Sequence, residues 1–200
     1  SSATVILINK VVEPPPGKHL LISDDPFRDY NFLTNHFRTF EIAKHAISPT
    51  ASIGEGTMIQ PGAFIGNHVV IGRNCLIHSN VSIYDHCVIG NDCVIHANTV
   101  IGSDAFYFKK YPESGYVKMY SCGRVVVHDR VEIGASCTID KGVSGDTVIG
   151  EGTKLDNQVH IGHDTVVGRN CLFAAQVGIA GVTRIEDNVI LWGQVGVNKD

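Results

Sequence analysis

Counted in sixes from Ile47, the chain places isoleucine at Ile53, Ile59, Ile65, Ile71, Ile77, Ile83, Ile89, Ile95 and Ile101, ten in register without exception. The register resumes at Val127, Ile133 and Ile139. It runs again through Ile149, Leu155, Ile161, Val167, Phe173, Ile179, Ile185, Leu191 and Val197, so that 22 positions are all large and apolar. Two residues before each stands a mostly small one, such as Ala51, Thr57, Ala63, Cys75, Cys87, Cys93 and Thr99. Strand side chains two apart face the same way, so every hexad offers one large and one small residue to a common interior. Gly54, Gly66, Gly72, Gly90 and Gly102 follow the large residue, and Asn or Asp comes soon after in several hexads, which is turn chemistry.

A short strand and a corner every six residues describe a solenoid, and three faces close a coil of 18 residues. The sequence repeats at 18 on its own account: Gln158-Val159, Gln176-Val177 and Gln194-Val195, Gly54, Gly72 and Gly90, Cys75 and Cys93, and Asn170 and Asn188. Seven or so coils at about 4.8 Å each give a prism roughly 35 Å long.

Composition agrees with an all-β reading. The chain has 200 residues, 44% of them hydrophobic, with 21 glycines and a net charge of −4. That profile excludes disorder and collagen and argues against a helical bundle. Sixteen Lys and Arg against 20 Asp and Glu, with no basic stripe, argue against nucleic-acid binding. No apolar run reaches the length of a membrane span, and no charged-then-apolar leader opens the sequence, so a soluble, cytoplasmic location is expected. Five of the six cysteines (Cys75, Cys87, Cys93, Cys137 and Cys171) occupy the small inward phase, and Cys122 alone lies outside it. A disulfide framework would not follow a packing phase, so the thiols read as reduced.

Two segments leave the register. Residues 103–123 carry Phe106, Tyr107, Phe108, Tyr111, Tyr116 and Tyr120, six of the 15 aromatic residues, and read either as a flap or as a ligand-contacting loop. Asp140 to Asp146 holds four extra residues and is expected to bulge from a corner. Ahead of the prism, residues 1–44 read as the C-terminal part of a truncated N-terminal domain. Its strands are expected at Ala3 to Asn9 and Leu20 to Ser23 around Pro14-Pro15-Pro16-Gly17. A helix follows, capped by Asp25, opened by Pro26 and facing inward through Phe27, Tyr30, Leu33 and Phe37. Residues 45–200 form the solenoid domain, whose last residue falls inside the repeat, so a C-terminal truncation is expected too.

Ten histidines raise a metal hypothesis. His68 and His86, and likewise His78 and His96, stand 18 apart and should stack on adjacent coils. The spacing offers no third ligand, so no metal is assigned. His160 and His163 differ in placement, one outward on a strand and one at a corner. Eighteen residues beyond His163 is Gly181, which sets a backbone N–H beside an imidazole, a base next to an oxyanion donor. His160, Gly178 and Gly196 share one outward position on three coils, leaving a bare strip edged by Gln176 and Gln194. It suits a thin ligand or close contact with a second subunit.

The hexads over about 45–200 resemble the hexapeptide-repeat acyltransferases, whose fold is a left-handed parallel β-helix assembled as a homotrimer. Longer motifs are similar to the UDP-3-O-(3-hydroxyacyl)glucosamine N-acyltransferases of lipid A biosynthesis. These are Val131 to Gly142, Gly145 to Ile149, Leu155-Asp156-Asn157-Gln158 with Ile161-Gly162-His163, and Gly178-Ile179-Ala180-Gly181. Asp25-Pro26-Phe27 also resembles the Asn-Pro-Tyr entry of that family. The resemblance implies transfer of a 3-hydroxyacyl chain from acyl carrier protein, on its 4′-phosphopantetheine, to the 2-amino group of a UDP-linked 3-O-acyl-glucosamine. It puts the catalytic histidine on His163, its acidic neighbour on Asp156 and the oxyanion amide on Gly181. Asn157, Gln158, His160, Gln176, Gly178, Gln194, Gly196 and Phe106 then fall to substrate and acyl chain, with no bound cofactor. The chain departs from the family at Asp104-Ala105-Phe106-Tyr107, where relatives begin Asp-Gly-Phe-Gly, and at Asp200, where a second histidine is expected. Alternatives are an O-directed or acetyl-CoA-dependent hexapeptide acyltransferase, a non-catalytic β-helix scaffold, and a metal-dependent hydratase.

Overall fold

A computed structural model describes residues 4–198. The hexads become a parallel β-helix of three seven-stranded sheets. The first face runs from Ser52–Ile53 to Arg184–Ile185, the second from Met58–Ile59 to Ile190–Leu191 and the third from Phe64–Ile65 to Gly196–Val197. Each strand pairs with the one a coil away in the same register, as in Val88↔Val70 or Leu155↔Ile133, so equivalent residues stack.

The large residue of every hexad points inward. Ile65 through Ile101, Ile133, Ile139, Ile149, Ile161, Phe173 and Ile179 form one continuous buried column. Burial lapses in the end coils, where Ile47 and Ile53 are exposed, because no further coil covers them. The small inward residues do more than fill space. Cys75, Cys93, Cys137 and Cys171 donate from Sγ to the carbonyls of Gly90, His128, Asp156 and Glu186 on the following coil, at 3.1 to 3.2 Å. Thr99 and Thr153 do the same through Oγ1, and each also accepts the amide of the stacked cysteine. Threonine and cysteine therefore interchange at this position because each supplies a short donor to a corner carbonyl that would otherwise lie unsatisfied. Burial pushes the Cys87 thiol up to about 12 and that of Cys137 up to about 11, which removes both as nucleophiles near neutral pH.

Corners repeat a left-handed residue at the same place in the hexad, with φ between 51° and 64° at Asn74, Asp92, Asn98, Asp164, Asn170 and Asn188 among others. Asn and Asp tolerate that region, and the Asn or Asp just before the left-handed residue accepts an amide of the preceding coil, as in Asn91 Oδ1 with the Arg73 N–H. Val182 adopts the same left-handed conformation, at φ 61°.

Residues 4–40 and 107–120 form a second compact unit, separate from 41–106 with 121–198. In it β1 (Val5–Ile8) and β2 (His19–Ile22) pair in parallel, so Pro14 to Gly17 lie within a crossover, not a hairpin turn. Helix α1 (Pro26–Phe37) follows, with Asp25 accepting the Phe27 and Arg28 amides. The expected apolar face of α1 is half right. Phe27 and Tyr30 are half-buried, but Leu33 and Phe37 are exposed and Thr34 is the buried residue. The antiparallel hairpin Phe108–Tyr111 with Gly115–Lys118 meets the helix at Phe27 and Asn31, with the Phe27 and Tyr111 rings edge to face at 6.2 Å between centroids. Asn31 imitates a strand neighbour to it, donating to the Lys118 carbonyl and accepting the Tyr120 amide, both at 2.9 Å. Tyr111 Oη and Lys109 Nζ donate to Asp25 at 2.5 and 2.9 Å. These two donors, the hydroxyl foremost, hold the Asp25 carboxyl well below the usual carboxylate range.

Candidate active site

One corner of the prism, where the third face turns into the first, differs from the other two. On successive coils it carries the chain's departure after Ser103 and return at Arg124, then the bulge 140–146, then His163-Asp164, then Gly181. Both breaks in the hexad register and the candidate base thus share one edge.

His163 follows the strand His160–Ile161, and its imidazole Nδ1 donates to Asp164 Oδ2 at 2.8 Å. Both side chains are largely covered, with 12% and 24% of their surface exposed. The carboxylate is held in turn. Asp164 accepts the Val143 amide at Oδ2 (2.8 Å) and the Gly145 amide at Oδ1 (3.3 Å), while its own amide donates to buried Thr147 Oγ1 at 2.9 Å. With Nδ1 protonated toward a carboxylate, Nε2 is left as the basic nitrogen. Nε2 lies on the Gly181 side: a Cβ added at Gly181 would stand 2.6 Å from it. The stacking expected from the 18-residue spacing is therefore present, and the Val182 amide on the same coil donates to the His163 carbonyl at 2.7 Å.

Asp156 is not the carboxylate at His163 within a chain. Seven residues earlier is one strand and one corner earlier, and Asp156 stands where the second face turns into the third, accepting the Asn157 amide at Oδ1. It lines a cleft of about 400 Å³ with His96, Glu132, Lys154 and Phe173. The residue that sequence reasoning passed over is Asp164, and its position directly after His163 was the available signal. Asn157 is engaged with the Ala135 amide at 2.8 Å. Gln158, Gln176 and Gln194 form an amide ladder, Gln176 Nε2 donating to Gln158 Oε1 at 2.8 Å and Gln194 Nε2 to Gln176 Oε1 at 3.0 Å.

His160, Gly178 and Gly196 are paired in register and line a shallow groove of about 370 Å³ with Ala180 and Val197. A Cβ at either glycine would meet nothing within 4 Å, so the fold does not require glycine there and the bare strip is free to serve a ligand or partner. His160 Nδ1 and Thr138 Oγ1 are hydrogen-bonded at 2.8 Å at one end of the strip. Phe106 is 84% exposed. Asp200 lies outside the described residues.

The histidine pairs stack as expected, His68 on His86 at 5.0 Å and His78 on His96 at 4.9 Å between centroids. His96 Nε2 is 3.0 Å from Glu132 Oε1. Among the described residues no three His, Cys, Asp or Glu side chains converge to hold a metal, and no helix is long and apolar enough to cross a membrane.

Residues 50–83, 68–103 and 146–181 match the family described as bacterial transferase hexapeptide (six repeats). Curated relatives of the chain are named UDP-3-O-acylglucosamine N-acyltransferase. The chain is 54% identical over 134 residues to that of Bradyrhizobium sp. (strain BTAi1), covering 58% of this chain and 38% of the relative. It is 55% identical over 65 residues to that of Sinorhizobium medicae, covering 32% and 18%. The chain thus spans less than two fifths of the length of the curated relatives it matches. Among solved structures, the UDP-N-acetylglucosamine acyltransferase of Bacteroides fragilis is 32% identical with a TM-score of 0.66, covering 76% of this chain and 58% of that one. That of Francisella novicida is 32% identical with a TM-score of 0.52, covering 75% and 55%.

Proposed function

We propose that this chain carries the acyl-transfer centre of an N-acyltransferase of lipid A biosynthesis. It moves a 3-hydroxyacyl group from acyl carrier protein, on its 4′-phosphopantetheine thiol, to the 2-amino group of UDP-3-O-acyl-glucosamine. The observation that carries this reading is His163 held between the Asp164 carboxylate and the side-chain-free Gly181, together with the names of the relatives.

Nε2 of His163 takes a proton from the amine as it attacks the thioester carbonyl. The tetrahedral oxyanion lies against the Gly181 backbone N–H, and its collapse breaks the C–S bond. The departing thiolate takes the proton from the imidazolium. The strip of His160, Gly178 and Gly196 holds acyl chain, with Gln158, Gln176, Gln194 and Asn157 along its edge and Phe106 against the substrate. Asp156 serves His163 from a second copy, since within one chain it stands at another corner. This reading therefore goes with a homotrimer in the cytoplasm, with no resident cofactor.

O-acylation is the second reading, favoured by the 32% identity to two UDP-N-acetylglucosamine acyltransferase structures. Mass spectrometry after mixing the protein, wild type and His163→Ala, with UDP-3-O-acyl-glucosamine or UDP-N-acetylglucosamine and a panel of hydroxyacyl carrier proteins decides. An N-acylated product from wild type alone supports the first reading. An O-acylated product, or turnover by His163→Ala, overturns it.

A further inference from the structure

We infer that Gly123 and the bulge 140–146 form a positioning element for His163 that acts through Asp164. This rests on His163 being the base.

The bulge is stitched on both sides. Toward the coil before it, the Cys122, Gly123 and Arg124 amides donate to the carbonyls of Val143, Gly142 and Gly145 at 2.8, 3.1 and 3.2 Å. The Lys141 amide donates to the Ser103 carbonyl at 2.9 Å, Ser103 Oγ donates to Asp140 at 2.6 Å, and Lys141 Nζ pairs with Asp104 at 2.8 Å. Toward the coil after it, the Val143 and Gly145 amides converge on the Asp164 carboxylate that is hydrogen-bonded to the imidazole Nδ1. The carbonyls of 142, 143 and 145 thus face the segment that closes the excursion, and the amides of 143 and 145 orient the partner of His163.

Gly123 sets the spacing of this stack. A Cβ there would fall on the Gly145 carbonyl oxygen and lie 2.5 Å from that of Gly142, with both contacts on backbone that no rotamer can clear. Gly123 has no left-handed φ, so alanine is barred by the closeness of the bulge alone. A methyl group at 123 pushes 142–145 away, shifts the two amides and leaves the carboxylate free to turn from Nδ1. A fixed tautomer and a placed Nε2 are then lost together, with a cost of about a hundredfold in turnover for displacements near 1 Å. A bulge that merely closed a corner would carry no such link.

The test follows the His163 imidazole by ¹⁵N NMR in the full chain, assigned with His163→Gln, beside kcat and KM for acyl transfer and thermal melting. The wild type is expected to hold the Nδ1–H tautomer. Folded Gly123→Ala is expected to show mixed tautomers and about a hundredfold lower kcat with KM little changed. If Gly123→Ala does not fold, deletion of exposed Ser144 alters the bulge without touching Gly123, and the same two changes are expected. Wild-type tautomer and kcat in a folded variant, with His163→Ala inactive, overturn the inference alone. If His163→Ala remains active, the function reading falls, and the tautomer still reports on the positioning.

Discussion

His163 Nδ1 and Asp164 Oδ2 lie 2.8 Å apart on neighbouring residues of one corner, so the proposed base and its orienting carboxylate come from consecutive positions of a single coil. In the proposed reaction, removing the imidazole takes away the group that accepts the amine proton. His163→Ala is expected to lose activity by more than a hundredfold while melting within a few degrees of wild type, because the side chain is outside the buried column. Steady-state assay and calorimetry on the same preparation check this.

Gly181→Ala puts a methyl 2.6 Å from Nε2, so the ring must give way against its hydrogen bond to Asp164. A drop in kcat of at least tenfold is expected from the displaced imidazole. An activity equal to wild type would show that nothing reacts on the Gly181 side of the ring.

Gly178 and Gly196 give the opposite expectation for stability. Neither position has an atom within 4 Å of an added Cβ, so Gly178→Leu is expected to fold and melt as wild type within the chain. Turnover of long acyl donors should fall while short donors are spared. Equal loss with all chain lengths would point instead to a subunit contact at this strip.

Asp25 makes the helix-bearing unit acid-sensitive. Its folded pKa is depressed, first by the Tyr111 hydroxyl and then by Lys109, relative to an unfolded value of about 3.9. The stabilisation is therefore fully present above that value and disappears as pH falls below it. Hydrogen-exchange protection factors in α1 are expected to fall below about pH 4, and Asp25→Asn, which still caps the helix, is expected to remove most of that pH dependence. Unchanged acid sensitivity in Asp25→Asn would shift the cause to Asp24 or Asp29, which also pair with Arg28.

Val182 is a β-branched residue in the left-handed region, where most other corners carry Asn, Asp, His or Gln. Val182→Asn is expected to stabilise the chain by about 1 kcal/mol, read as a higher melting temperature. Its N–H to the His163 carbonyl is a backbone bond and survives the change.

The parallel coils, their 18-residue spacing and the inward column were legible because every hexad obeys the same packing constraint, and that constraint is written in residue size. The pairing of His163 with Gly181 was legible for the same reason. Asp164 was legible only as the residue after His163: its link to the 140–146 bulge follows a path that no periodicity describes. Asp156 was carried over by a motif, and a motif does not record which corner a residue occupies. In α1 the alternation of apolar residues suggested a face through Phe37, but the hairpin from residues 108–118 settled which side is covered, a contact between segments some eighty residues apart.

Because each coil touches only its two neighbours and equivalent residues stack in register, the prism has no long-range geometry to retune when its length changes. A lineage can gain or lose 18 residues between Ile47 and Ile95 as a unit, leaving the reacting corner intact while altering how far it stands from whatever is joined at the other end. Length in such a chain is an inherited quantity that comes in whole steps, and reach can be selected independently of chemistry.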